Sequence, residues 1–409
     1  MYKEYYDKIA DILLHAINLK KGDKIQLSID YDCREAAKHF VRKAYERGAL
    51  YIELNYHDPF MRAEAIRGSN EEIWFPEYLL KKDREAIQKG WKSAAYLSES
   101  EADVYEGLPA KKSSAYFQAL GELKETKLKA AMSNQYPWTL TYLPSESMAH
   151  KAFPDLPVEK AVEKYWEAII QIMRLDQDDP VAFWDAKMKR DAARSAFLND
   201  LSPEYLHFQG PGTDLMVGAN QDARWVGGYD KSIHGEPFMS NVPTDEIFTT
   251  PDFRKVNGKV SLTKPFTMHN QLGPIPEEAW FEFKEGRVID YGAAKGVESL
   301  NNLFETDERN RYIGELALVD PHSPFAETGI LYYNGLYDEN AACHLALGKA
   351  YPFTMKEPRE LSDKELQKIG FNTSLMHEDM MIGGLEVNVT AILKDGTRKP
   401  IIKDGDFLI

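Results

Sequence analysis

Apolar residues recur every three or four positions between Tyr5 and Ile17, at Ile9, Ile12, Leu13, Ala16 and Ile17. That spacing predicts an amphipathic helix, and Lys20-Lys21-Gly22-Asp23 stops it. KIQLSID follows as a short strand, CREAAKHFVRKAYERG as a helix closed by Gly48, and ALYIELNY as another strand. Strand, helix and strand in that order predict a βαβ unit, and therefore a parallel sheet. A second helical stretch runs from Glu159 to Phe197 and is broken near Asp178-Asp179-Pro180.

The pattern changes near Asn199-Asp200-Leu201-Ser202-Pro203. Beyond it, short strand-like pieces are separated by glycine, proline and asparagine: YLHFQG, DLMVGA, AWFEFKEGRVIDYG and GLEVNVTAILKDGTRKPIIKDGDFLI. The expected organisation is α/β, or α+β overall. An N-terminal α/β domain with a parallel sheet spans residues 1–200, and a β-rich C-terminal domain spans 201–409. A chain of 409 residues is long enough for two cores.

Composition narrows the class. With 43% hydrophobic and 28% charged residues the chain reads as a soluble globular protein. Its apolar runs fall short of the roughly 18 residues of a membrane span. The N-terminus lacks a basic region followed by an unbroken apolar stretch, so no signal peptide is expected. Two cysteines, Cys33 and Cys343, make no disulfide framework, and a reducing cytoplasm is the expected compartment. A net charge of −15 speaks against a nucleic-acid partner.

The chemistry concentrates in four stretches of the second half. In NVPTDEIFTTP (Asn241 to Pro251), a strand sets Glu246 on the face of Thr244 and Phe248, opposite Asp245 and Ile247. In RYIGELALVD, both faces of a strand are apolar, so Glu315 is carried into the interior. A carboxylate there must find a cation, a proton or a metal. In GLYDENAACHLALGKAYP, polar Asp338, Glu339 and Asn340 open what reads as a small apolar helix, with Asp338 as its cap. On that helix His344 and Tyr351, seven apart, share a face, and Cys343 turns away as a buried structural thiol. In LMHEDMMIGG, strand alternation points His377 and Asp379 the same way and Glu378 the other. Each stretch alone has an ordinary structural reading. Together they supply two imidazoles and three carboxylates, more donors than one tetrahedral zinc requires, and a set suited to two metals with one bridging carboxylate. HExxH, GxxxxGK[ST] and GxGxxG are all missing.

NVPTDEIFTTP, IGELALV, LYDENAACHLALGKAYP and HEDMMIG, in that order and spacing, resemble the aminopeptidase T family, which includes aminopeptidase S and aminopeptidase II. GTDLMVG at Gly212 to Gly218, the helical sequence ending DPVAFW at Trp184, and KKGDKIQLSID extend the resemblance over nearly the whole chain. The resemblance implies a cytoplasmic, homodimeric metallo-aminopeptidase acting on peptides with a free N-terminus. It implies metal ligands at Glu246, Glu315, His344, His377 and Asp379, with Glu315 bridging. Glu339 would be general base and acid, and Tyr351 the donor to the developing oxyanion. The cofactor would be two divalent ions, zinc first, with cobalt, manganese or magnesium compatible with the same donors. MMIG after HED departs from the expected phenylalanine-methionine pair, which touches packing and not the ligands. A dipeptidase or deacylase on the same metals, and a non-catalytic metal-binding scaffold, are the alternatives.

Overall fold

The computed structural model describes residues 2–69, 73–99, 102–268, 273–357 and 361–409. The helix expected from Tyr5 spans Lys3–Ala16, and its stripe of Ile9, Ile12, Leu13 and Ala16 is fully buried. Strands Lys24–Asp30 and Tyr51–His57 pair in parallel and flank helix Arg34–Glu46, as the βαβ reading predicts. Gly48 closes that helix at φ +89°, a left-handed conformation that glycine adopts without a Cβ penalty. Lys92–Leu97 pairs with the first strand on its other side, and Trp138–Tyr142 completes a four-stranded parallel sheet.

The chain divides into two compact units, Met1–Ala186 with Tyr229–Pro243, and Lys187–Gly228 with Thr244–Ile409. The change of character near residue 200 marks the end of helix Pro180–Leu201. The division itself falls inside that helix, and a later segment returns to the first unit. Neither feature leaves a composition shift for the sequence to display.

The second unit holds two antiparallel sheets. The larger has eight strands and includes all four β-rich stretches expected beyond residue 200. The smaller has four strands, in the order His377–Met381, His344–Gly348, Ile313–Val319 and Glu246–Thr249. Leu316, Leu318, Leu345, Leu347 and Met380 from the smaller sheet, with Ile382 just beyond it, join Leu206, Phe208, Leu215 and Val217 from the larger in one core. Each fully buried leucine contributes roughly 1.5–3 kcal/mol, so this apolar face fixes which side of the smaller sheet turns inward. Among the described residues, no helix is long and apolar enough to cross a membrane.

Candidate metal centre

Alternation does the sorting. Since Leu345 and Leu347 face the core, His344 and Ala346 face the other way, and the same holds for Glu315 and Ala317 against Leu316 and Leu318. Ile313 escapes the rule through a register shift between Ile313 and Glu315, and it joins the core instead of sharing the Glu315 face. In register, Ala346 lies between Asp379 on one neighbouring strand and Glu315 on the other. A methyl group at that row leaves room above it for the longer side chains to converge.

The structure corrects the expected helix. Only Gly335–Glu339 is helical, with Asn334, not Asp338, accepting a capping bond from the Tyr337 N–H. His344 opens a strand, and Tyr351 lies beyond it in a loop, not two helical turns away on a shared face. AACHLALG satisfies an alternating pattern as well as a helical one, and pairing on both sides of the strand decides between them. Gly348, at φ +100°, ends the strand where an added Cβ would sit 2.2 Å from the Met376 carbonyl oxygen. Cys343 is a buried structural thiol for a different reason from the one expected. The strand turns it to the core face, where its Sγ lies 3.3 Å from both the Val319 N and O, and burial pushes its pKa up to about 12.

The structure brings the five expected ligands together. His344 Nε2 is 3.1 Å from Glu246 Oε2 and 3.9 Å from Glu315 Oε1. His377 Nε2 is 3.1 Å from Glu315 Oε2 and 3.3 Å from Asp379 Oδ1. Two triads result, Glu246–Glu315–His344 and Glu315–His377–Asp379, with the donor atoms in each within 4.8 Å of one another. Glu315 belongs to both, turning one oxygen to each imidazole.

The other ring nitrogens settle which atom faces the carboxylates. His344 Nδ1 is 3.1 Å from the Ala342 carbonyl oxygen, and His377 Nδ1 is 2.7 Å from that of Lys349. A carbonyl can only accept, so each Nδ1 carries a hydrogen and each Nε2 is the ring atom turned to the carboxylate oxygens. Lone pair against carboxylate is repulsive unless a proton or a cation lies between them. Burial would depress the His344 pKa, but the hydrogen bond and charge of Glu246, with Asp379 and Glu315, push it up to about 10. Burial likewise opposes His377, whose pKa Asp379 and Glu315 raise well above the usual imidazole value. Glu315 is pushed up chiefly by burial, against the pull of His377. Nδ1-anchored imidazoles, buried carboxylates and convergent donors are the chemistry of a divalent-cation site, and these residues fit one.

Two further expected residues stand at the edge of the cluster. Glu339 ends the short helix, partly exposed, and burial followed by the charges of Glu246 and Asp379 raises its carboxyl well above the ordinary range. The Tyr351 ring lies 4.5 Å, centroid to centroid, from that of His377, meets Phe248 edge-on and lies tilted against Phe353. Burial and the neighbouring carboxylates hold its phenol in the protonated, donating form.

Relatives match the chain over its full length. The profile of the thermophilic metalloprotease (M29) family matches residues 2–407. This chain belongs to that family. Aminopeptidase 2 of Geobacillus stearothermophilus is 34% identical, covering 99% of this chain and 98% of that protein. Aminopeptidase T of Thermus aquaticus is 35% identical, covering 100% of this chain and 99% of that one. The solved structure of wild-type AmpT from Thermus thermophilus superposes with a TM-score of 0.88 at 31% identity, covering 100% of each chain.

In this metalloprotease the sequence reading missed a set of residues behind the ligands. Asn340 caps the C-terminal end of the short helix. Its amide oxygen accepts from the Asp245 N–H and lies 3.4 Å from the Thr244 hydroxyl, and its Nδ2 donates to the Leu336 carbonyl. The Ser323 hydroxyl donates to the Asn340 carbonyl, and the Asp338 carboxylate gathers the N–H groups of Tyr332 and Asn334. Polar residues at the mouth of the motif therefore hold the turn that carries Glu339. A buried charge cluster of Lys187, Asp191 and Asp245 was also missed. Its one sequence signal is the Lys187–Asp191 spacing of four, which reads as an ordinary solvated helix pair.

Proposed function

We propose that this chain is a metal-dependent aminopeptidase that removes the first residue of a peptide at a dinuclear centre. Glu246, Glu315 and His344 would hold one divalent ion, Glu315, His377 and Asp379 the other, and Glu315 would bridge. The observation that carries this reading is Glu315's two oxygens, one 3.9 Å from His344 Nε2 and the other 3.1 Å from His377 Nε2. Family membership supports the metal dependence, and the names of the relatives support the aminopeptidase reading.

Divalent ions, when bound, supply Lewis acidity that polarises the scissile carbonyl and acidifies water. The chain's own groups do the rest. Glu339, with its carboxyl held above the ordinary range, accepts a proton from water and returns it to the departing nitrogen. Tyr351, kept protonated, donates a hydrogen bond to the carbonyl oxygen as charge develops on it. The first residue of an unblocked peptide brings a free amine that a divalent centre would accept as a donor, and acetylation removes that lone pair.

Release of free amino acid from unblocked and N-acetylated leucyl peptides tests the reading, after EDTA and after adding back zinc, cobalt or manganese. Metal-restored cleavage of only the unblocked peptide, lost in Glu339→Gln, is the expected result. Equal cleavage of the blocked peptide means a different amide hydrolase. No cleavage with any metal means a binding scaffold. Zinc is the first ion to test. The reading includes a homodimer, measurable by sedimentation equilibrium, and a cytoplasmic location, measurable by cell fractionation.

A further inference from the structure

Glu246 has the weakest local support of the five. It is the first residue of a four-residue strand at the edge of the sheet, paired there only with Val319. A ligand at the end of an edge strand needs something else to hold it. Alternation turns the preceding residue, Asp245, to the opposite side, and Asp245 is buried. There Lys187 Nζ meets Asp245 Oδ1 at 2.7 Å and also pairs with Asp191, one turn along the same helix. Lys187, Asp191 and Asp245 are each at most 5% exposed.

The cluster extends to the neighbouring ligand strand. Arg194 lies 3.8 Å from Asp191 Oδ1 and 3.3 Å from Asp320 Oδ2, and Asp320 follows Val319, the register partner of Glu246. From the other side, Asn340 takes the Asp245 N–H. Residue 245 is thus fixed by its side chain and its backbone at once. Buried ion pairs are poor stabilisers compared with apolar packing, so one set immediately behind a metal ligand calls for a use other than stability.

We propose that Lys187 is a positioning residue: its ion pair with Asp245 holds the Glu246 carboxylate against His344 and Glu315. It thereby sets the metal affinity of the Glu246–Glu315–His344 triad and leaves the Glu315–His377–Asp379 triad alone. The inference rests on the two-ion reading given above. Outer-shell partners of this kind change metal affinity by roughly 10–100-fold.

The test titrates metal-free protein with zinc against a chromophoric chelator, alongside the thermal midpoint of the metal-free chain. Wild type should bind two ions. Lys187→Met should weaken one by roughly 10–100-fold and keep the other near its wild-type affinity. Lys187→Arg, which restores the charge, should recover most of the loss. Asp245→Asn keeps the side chain's shape and should reproduce the one-site loss; it carries the test if Lys187→Met does not fold. Equal weakening at both sites, or a lower metal-free midpoint with both affinities unchanged, overturns the positioning role and leaves the two-ion reading standing. A wild-type protein that binds a single ion overturns both.

Discussion

Replacing Glu315 by glutamine removes one carboxylate from both triads at once, whereas Glu246→Gln and Asp379→Asn each touch one. That asymmetry gives a number. An ion present at about 100 times its Kd stabilises the fold by roughly 2.7 kcal/mol. For a folding unit of roughly 150–250 residues, 1 kcal/mol moves the midpoint by about 2–4 °C, so each ion should raise it by about 5–11 °C. Scanning calorimetry with EDTA and then with excess zinc should show the full two-ion rise in wild type. About half should survive in Glu246→Gln and Asp379→Asn, and almost none in Glu315→Gln. The EDTA scans serve as the baseline, separating loss of metal from loss of packing at this buried position. If Glu315→Gln kept as much of the zinc-induced rise as Glu246→Gln, the carboxylate would not be shared and the bridging argument would be refuted.

Glu339→Gln should lower kcat by roughly 10²–10⁴ with zinc stoichiometry unchanged; a parallel loss of zinc would make it a ligand rather than a base. Tyr351→Phe should cost roughly 10²–10³ in kcat with little change in KM, and a change confined to KM would argue for substrate packing instead. Ala346 lies in register between Glu315 and Asp379, fully buried, so Ala346→Val should destabilise by roughly 1–3 kcal/mol and lower zinc affinity. Unchanged zinc affinity in that variant would mean the methyl row is not what leaves the ligands room. Burial pushes Asp307 up, but the N–H groups of Arg309 and Leu375, the Ser374 hydroxyl and the Arg309 charge outweigh it and hold its carboxyl below the usual range. Its stabilisation is present above the ordinary aspartate pKa of about 4 and lost as pH falls through the lowered folded value, so Asp307→Asn should flatten the acid side of the thermal midpoint profile. An equally steep profile in the variant would count against it.

Much of the small sheet was legible because large apolar side chains toward the core alternate with small or donor side chains toward the site, a period of two. Glu246, Glu315, His377 and Asp379 all lie on the strands expected of them, and Glu378 points away. His344 was legible as a residue and not as an element. Its neighbours Ala342, Leu345 and Ala346 suit either period, and only the partners Ile313–Val319 and His377–Met381, distant in sequence, choose the strand. The support behind the ligands was hidden for a similar reason. Lys187 and Asp245 are 58 positions apart in sequence and meet only in the folded chain. Asp245 reads only as the face-mate of Ile247, and nothing near it in sequence announces Lys187 of helix Pro180–Leu201 as its partner. The return of Tyr229–Pro243 to the first unit left no mark in composition.

The alternation that sets leucines on one face of the small sheet and donors on the other also polices its assembly. If the His344 strand slid by one residue against either neighbour, His344 would enter the leucine core and Leu345 would face Glu315. Such a slip would strand ionisable groups in oil and deny a cation its cage in the same motion. Misthreaded sheets are therefore penalised twice, by solvation and by lost coordination. If the centre holds metal as proposed, loading would act as a proofreading step that only the correct pairing of four distant segments can pass.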